Sequence, residues 1–416
     1  MADASAAAFA TPEEINRQVA RSRRSEMRKG LLLLAPALIF LFFTFLLPLG
    51  YIFRLSVYDP TIHDGLPRTV EALRTWNGND PPDEQTFQAL ADDLIDARKA
   101  DTVGSIANRL NVEAAGLRSA VTKTARRLGS KPPADHYSEW FQQADPVWAE
   151  QKTWQAINQL RSSVSANYYL AAVDLRRDAS GSVELAPEEN RIHTTLFART
   201  FLVAFSVTAL CILLGYPVAY LIATSSKVVG SIMIVLVLLP FWTSLLVRTT
   251  GWIVLLQSQG VLNDMLVYLG IISDANRVRM IYNLAGTLIA MTHILLPFFI
   301  LPLYSVMVSI SPIYMRAAQS LGAHRFYAFW KVYFPNTLPG VGSGALLAFI
   351  LAVGYYITPA LVGGQSGQMI SNMIAFHVQS SLDWGLAAAL GMILLSVVLV
   401  LYAIYHRYSG ANRLVN

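Results

Sequence analysis

Six stretches of this chain run without a single Asp, Glu, Lys or Arg: residues 31–53, 200–224, 228–247, 280–308, 338–362 and 385–405. Crossing ~30 Å of hydrocarbon takes ~20 helical residues, and each stretch reaches that length. These runs constrain the fold more than any short motif does. Inside hydrocarbon every backbone N–H and C=O must be satisfied within the spanning segment, which a single segment achieves as a helix. A core helix of a soluble protein rarely stays uncharged for so long. Trp, Tyr and basic residues stand at the run ends, where interfacial anchors belong. The expected fold class is an all-α membrane protein of six transmembrane helices.

Although 54% of the residues are hydrophobic and 14% charged, mean hydropathy is only +0.42, because a polar block separates the first run from the second. The chain therefore divides into an N-terminal tail (1–30), a first transmembrane helix (31–58), a soluble insertion (59–194) and a five-helix core (195–416). Basic residues resist translocation, and Arg17, Arg21, Arg23, Arg24, Arg28 and Lys29 crowd the front of the first run, which puts the N-terminus in the cytoplasm. Alternation then places Lys227, the 316–331 loop, Arg407 and Arg413 inside and the insertion outside the cytoplasmic membrane, with Arg277 and Arg279 outside against the trend. A cleaved signal peptide fits the first run poorly: the apolar stretch is too long, and no small-x-small site follows Leu49, Gly50, Tyr51 and Ile52. Cys211, the single cysteine, lies in the second run, so the insertion has no disulfide. The net charge of +5 sits largely on the cytoplasmic side, where it suits an anionic leaflet and does not imply nucleic-acid binding.

Within the insertion, apolar residues recur at helical spacing over 86–99 and 102–128, through Leu90, Leu94, Ile95, Ile106, Leu110 and Leu117. A third stretch, 138–163, carries Trp140, Trp148, Trp154, Ile157 and Leu160 around a break at Pro146 and can supply a small aromatic core. Residues 178–182 form a turn whose flanks, 169–173 and 183–185, suggest a hairpin. Docking of a soluble binding protein and plain stabilisation both remain open as roles for this mostly helical block.

No phosphate-binding G-x-x-x-x-G-K-S/T loop, zinc-type His/Cys cluster, nucleophile elbow or pair of intramembrane carboxylates occurs, so no cofactor is expected on this chain and ATP hydrolysis is not its own. Between two apolar runs stands SPIYMRAAQSLGAHRFYAFWKVYFPNTLP, residues 311–339. Ser311-Pro312 starts a helix, Ala317-Ala318 keeps one face thin, Gly322 permits a turn, and a second short helix over 324–333 is expected to stop at Pro335 and Pro339. The expected unit is a helical hairpin, 311–337.

These residues resemble the permease subunits of binding-protein-dependent ABC importers, whose cytoplasmic signature reads EAA, three residues, Gly, nine residues, I-x-L-P. Here it stands as Arg316-Ala317-Ala318, Gly322 and Val332-Tyr333-Phe334-Pro335, with Arg316 where the family usually has Glu. From about residue 168 onward the chain also resembles the spermidine/putrescine-type branch, through Pro240-Phe241-Trp242-Thr243-Ser244, Val247-Arg248-Thr249, Leu262-Asn263 and Asp383-Trp384. The resemblance implies a second permease chain, two cytoplasmic ATPase subunits holding ATP and Mg, and a periplasmic substrate-binding protein delivering a polyamine or related amino compound. It also implies coupling to the ATPase through Arg316, Ala317, Ala318, Gly322, Val332 and Pro335.

With no acid inside any apolar run, a cationic cargo would pass over aromatic faces and neutral dipoles. Tyr216, Tyr220, Trp242, Trp252, Tyr304, Tyr355 and Tyr356 are the candidates, at ~0.5–2 kcal/mol per cation–π contact. Helix packing and interfacial anchoring are equally open to them. Arg248 ends the third run, with Asp383 as its possible partner. His293 and His377 have no intramembrane acid near them in sequence and are assigned no chemistry. A second reading is a membrane receptor whose insertion senses a ligand; it calls for a cytoplasmic output domain, and only 406–416 follow the last run.

Overall fold

The computed structural model describes residues 27–408 apart from 28, 31, 79, 131, 134, 178–181, 189 and 190. Arg17, Arg21, Arg23, Arg24, Arg28, Arg413 and most of the 178–182 turn lie outside the described residues. The chain separates into two units, Met1–Leu55 and Ser56–Asn416. The first holds nearly all of α1 (Leu32–Val57), an apolar helix widened into one π turn at Phe42–Leu46, with no buried residue in its most apolar window.

In the second unit the insertion enters and leaves at one place. Tyr58 bridges Val164, the Asp59 N–H donates to the Ser163 carbonyl at 2.8 Å, and the Ser165 N–H donates to the Val57 carbonyl at 2.9 Å. Between these ends lie α2 (Thr61–Gly65), α3 (Pro67–Ala72), α4 (Glu84–Lys99), α5 (Val103–Glu113), α6 (Leu117–Ser130), α7 (Tyr137–Ala144) and α8 (Gln151–Gln159). Asp83 caps α4 by accepting the Thr86 N–H at 3.0 Å. The stretch 102–128 is two helices rather than one. Gly116 takes φ +94°, and the Asn111 side-chain oxygen accepts the Gly116 and Arg118 N–H groups, which closes the break. Phe87, Phe141, Trp148 and Trp154 are wholly buried and meet edge to face, Phe87 at 4.6 Å from Trp154 and Phe141 at 5.3 Å from Trp148. Each contributes on the order of 1.5–3 kcal/mol by burial, which is how a block without disulfides holds together. Trp140 packs half-buried against this core, its ring 5.5 Å from Phe141 and beneath Arg127.

The chain then forms α9 (Asn167–Ala172) and a two-stranded hairpin, β1 (Leu175–Arg177) with β2 (Val183–Leu185). The first strand begins later than its residue types suggested. Tyr168 and Tyr169 belong to a helix because that lays Tyr168 on Gly385 and brings the Tyr169 hydroxyl to Ser56 Oγ at 2.8 Å.

The membrane core follows as α10 (His193–Thr224), α11 (Lys227–Leu238), α12 (Leu245–Leu256), α13 (Val261–Tyr268), α14 (Leu284–Ser309), α15 (Pro312–Ser320), α16 (Arg325–Gly354), α17 (Ile357–Val362), α18 (Ile370–Gln379) and α19 (Trp384–Tyr408). With α1, the described residues hold five single helices long and apolar enough to cross a membrane, plus a bent pair that brings the total to six. The bend is the departure from the six continuous runs: Lys227–Trp242 and Leu245–Tyr268 meet at 98°. Pro240 ends the first half, and Ser244 opens the second by accepting the Val247 N–H at 3.2 Å.

Helices α10, α14 and α16 pack around Phe299, Leu295, Met291, Val207 and Ala348. Gly344 lets α16 close on α14, since a Cβ there would stand 2.7 Å from the Phe299 carbonyl oxygen. Contacts fix the directions. Cys211 meets Thr292 and Gly215 meets Phe299, so α10 and α14 run parallel; Phe205 meets Phe349 and Tyr216 meets Thr337, so α16 runs against them. The insertion therefore joins the core at the start of α10, whereas the 311–337 segment follows the end of α14. They lie at opposite ends of the bundle.

Candidate functional site: a hairpin, an aromatic joint and a seam

The hairpin is built from caps and one left-handed glycine. The Ser311 hydroxyl accepts the Ile313 N–H at 3.3 Å and starts α15; Gly322 takes φ +90°, which reverses the chain; and His324 Nδ1 accepts the Phe326 N–H at 3.3 Å to start α16. The second arm does not stop at Tyr333. It continues through Pro335 and Pro339 as one helix with the fifth span. A π turn at Phe329–Tyr333 makes this possible, because Pro335 has no N–H to give and its ring would crowd the Lys331 carbonyl four residues back, which the wider turn moves aside.

Ile313, Tyr314, Leu321, Phe326, Tyr327 and Trp330 all stand exposed on this hairpin, Leu321 at 90%. Such a patch on a monomer marks a contact surface. Arg316 and Ala317 are exposed, Ala318 and Val332 half-buried, and Pro335 exposed. No ion pair holds Arg316 among the described residues.

Two of the aromatic candidates form a joint behind the hairpin. The Tyr216 hydroxyl lies 3.1 Å from Thr337 Oγ1 and its ring 5.7 Å from Phe334; the Tyr220 ring stands edge-on to Phe329 and Tyr333, each at 5.5 Å. They lash α10 to the π turn. Tyr304 is half-buried against the shared core.

The others gather toward the opposite end. Trp242 stands 76% exposed at the bend of the broken span. Arg248 is half-buried, its guanidinium 6.0 Å from the Phe241 ring centre and its Nε without a hydrogen-bond partner. It lies within electrostatic reach of His293 and Tyr355. Trp252 Nε1–H donates to His293 Nδ1 at 3.2 Å, giving that histidine a structural partner that its sequence surroundings did not reveal. Tyr355 and Tyr356 occupy the break before α17, where their carbonyls accept from Ser371 Oγ at 3.0 Å and Asn372 Nδ2 at 2.8 Å. Asp383 does not pair with Arg248. Its carboxylate caps α19, accepting the Leu386 N–H at 3.1 Å, and it lies beside Tyr168.

The seam between insertion and core gathers buried charges, and sequence reasoning missed it. Asp59 accepts from Arg109 Nε and, at 2.9 Å, from the Tyr168 hydroxyl; Arg109 also pairs with Glu113 at 3.0 Å and covers the Tyr168 ring at 4.9 Å. Burial pushes the Asp59 carboxyl up, but the guanidinium and the hydrogen bonds outweigh it and hold the group below the usual carboxylate range. Burial drives the Tyr168 phenol well above its ordinary value. The Tyr168 ring lies so close to Gly385 that a Cβ there would be 2.2 Å away. Asp174 caps α10 from 20 residues upstream, accepting the His193 N–H at 3.0 Å, the Thr194 N–H at 2.8 Å, the Thr194 hydroxyl, and His193 Nδ1–H at 3.0 Å. Burial raises this carboxyl too, and those hydrogen bonds again bring it below the ordinary value. Apart from the Arg109–Glu113 pair, partners 19 to 109 residues apart leave no local pattern to read.

A bundle broken at its third crossing, with an apolar hairpin after the fourth, is the architecture of a membrane transport subunit. Residues 201–411 match the family described as binding-protein-dependent transport system inner membrane component, and the chain belongs to that family. It is 34% identical over 209 residues to the spermidine/putrescine transport system permease protein PotB of Haemophilus influenzae, covering 50% of this chain and 71% of that one. PotB of Escherichia coli K12 is 33% identical over 213 residues, covering 51% and 76%. A crystal structure of a bacterial ABC transporter involved in import of the acidic polysaccharide alginate aligns at 20% identity and TM-score 0.42, over 51% of this chain and 78% of that one. The insertion lies outside the family match.

Proposed function

We propose that this chain is the pore-forming permease of an ATP-driven importer for a small amine of the polyamine class, brought to it by a periplasmic binding protein. The observation that carries the reading is the hairpin: six large apolar side chains exposed around an Ala-Ala and a left-handed Gly322, at the end of the bundle opposite the insertion. Two cytoplasmic ATPase subunits, holding ATP and Mg, grip this knob on this chain and on a second permease chain. Their closure moves the hairpin, and because its second arm continues into the fifth span, the displacement passes along α16 and, through Tyr216 and Tyr220, to α10. With Arg316 in place of an acid, the grip is apolar packing rather than a carboxylate ion pair. N- and C-termini lie in the cytoplasm and the insertion in the periplasm, where it offers the binding protein a surface. The relatives named for spermidine and putrescine support the cargo class. Cargo meets the aromatic, carboxylate-free interior around Trp252 and Tyr355 and binds weakly enough to leave.

Uptake of radiolabelled putrescine into cells carrying the complete system tests this. Excess unlabelled spermidine or putrescine is expected to suppress it, while neutral amino acids leave it unchanged; uptake indifferent to unlabelled amines overturns the cargo assignment.

A further inference from the structure

The five-helix core is short of negative charge. From residue 195 onward the chain holds three acidic residues, Asp264, Asp274 and Asp383, and no glutamate. Asp264 and Asp274 both pair with Arg277, and Asp383 caps α19, which leaves no carboxylate for Arg248. Among the described residues the Arg248 guanidinium makes no hydrogen bond or ion pair; its Nε is buried without a partner, while the two Nη atoms keep accessible surface.

Its place makes that charge costly. Arg248 lies in the first turn of α12, where the free N–H groups of a helix start already carry positive potential, and no acidic residue in that turn offsets it. The second half of the broken span turns 98° from the first, so Arg248 and Trp252, one turn apart on it, stay near one level of the bundle. Trp252 fixes that level through its bond to His293 on α14. At 1.5 Å per residue, His293 stands ~13 Å from the end of α14 nearest the insertion, which is hydrocarbon depth rather than headgroup depth. An ionisable group at such depth faces a water-filled path or a partner. The neighbours supply no negative charge. The Phe241 ring lies 6.0 Å from the guanidinium; His293 accepts the Trp252 N–H at Nδ1, so its neutral ring carries its own proton at Nε2 and is a further donor; and Tyr355 adds a phenol. The aromatic interior assigned to cargo therefore holds a net positive potential, and fixed positive charge of this kind is how pores exclude cations and protons. A hydrated metal ion meets only that repulsion. An alkyl amine lays its N–H groups and methylenes on Phe241, Trp252 and Tyr355 and recovers part of the cost.

We propose that Arg248 is the specificity-determining charge of this permease, an unpaired guanidinium beside the aromatic lining that bars inorganic cations from the route while an organic amine, held by the aromatic faces, passes. The same repulsion keeps the amine from lodging there. The inference rests on reading the chain as an importer permease and adds to it the residue that keeps the importer ion-tight.

The test places the complete importer in potassium-loaded liposomes hydrolysing ATP, with potassium efflux as the readout. The unaltered importer and Arg248→Lys should lose potassium no faster than empty liposomes, and Arg248→Gln should raise efflux about tenfold. Since a neutral variant that misfolds would also leak, Arg248→Cys is modified in the assembled importer. A methanethiosulfonate carrying an ammonium group should restore tightness and one carrying a sulfonate should not, with the extent of modification read by mass spectrometry. The native Cys211 is wholly buried, and the unaltered importer treated with both reagents is the control. Equal efflux from Arg248→Gln and the unaltered importer, recovery that ignores the reagent's charge, or a variant thiol that neither reagent reaches overturns the proposal. A second permease that co-purifies with Arg248→Lys but not with Arg248→Gln would show the guanidinium paired across that interface and overturn it as well. The cargo reading fails separately: a tight importer whose Arg248 variants leak as expected, but which takes up no putrescine, sinks the cargo assignment and supports the filter.

Discussion

Arg109 shows how little a single residue's sequence neighbourhood can say about it. It sits on an ordinary amphipathic helix, yet only 9% of its side chain is exposed and it is held by two carboxylates, one of them 50 residues away. Arg109→Met removes one partner of a buried pair and should destabilise the insertion by about 3–5 kcal/mol, seen as faster amide exchange over α5 and α8. The pH dependence has a definite sign. Asp59 and Asp174 both hold folded-state values below the ordinary 3.8, so their contribution is complete above that value and is lost as pH falls through the lower folded values. Exchange at the seam should therefore rise as the pH is taken below 3.8, and Asp59→Asn should flatten part of that rise. A pH-independent seam would show that neither carboxylate is held as described. Gly322 and the Ala317-Ala318 pair, by contrast, were legible from type and spacing, because a left-handed turn selects glycine locally.

At the scale of elements, hydropathy located every membrane helix but not its continuity. Run three is uncharged throughout and still breaks at 98°, because Pro240 and the Ser244 cap act on backbone hydrogen bonds that hydropathy does not register. In the hairpin the error ran the other way: Pro335 and Pro339 were expected to stop a helix that a π turn carries past them. That continuity makes the hairpin a candidate lever. Gly322→Val forces a β-branched residue to φ +90°, at roughly 1–2 kcal/mol of strain, and should reduce cargo-stimulated ATP hydrolysis in the reconstituted importer. Coupling that survives the substitution would count against the lever.

For the whole molecule, the insertion is a loop closed on itself, its ends joined by the Tyr58–Val164 bridge and the bonds on either side. Its aromatic core shares no residue with the core around Phe299. Replacing residues 61–161 by a short Gly/Ser turn should therefore leave the five-helix core folded, as judged by monodisperse extraction and retained ATPase binding. If uptake is then normal, the insertion is not needed to receive the binding protein. Residue chemistry alone determined that this chain crosses a membrane about six times, carries a large polar block after the first crossing and presents a hairpin after the fourth, because solvation of apolar runs and the turn preference of glycine are local. Tertiary structure decided which aromatics pack helices together, that Asp383 caps α19 rather than pairing with Arg248, and that buried charges meet at a seam. Those outcomes depend on groups far apart in the chain being brought within hydrogen-bonding distance, and no property of either neighbourhood encodes that distance.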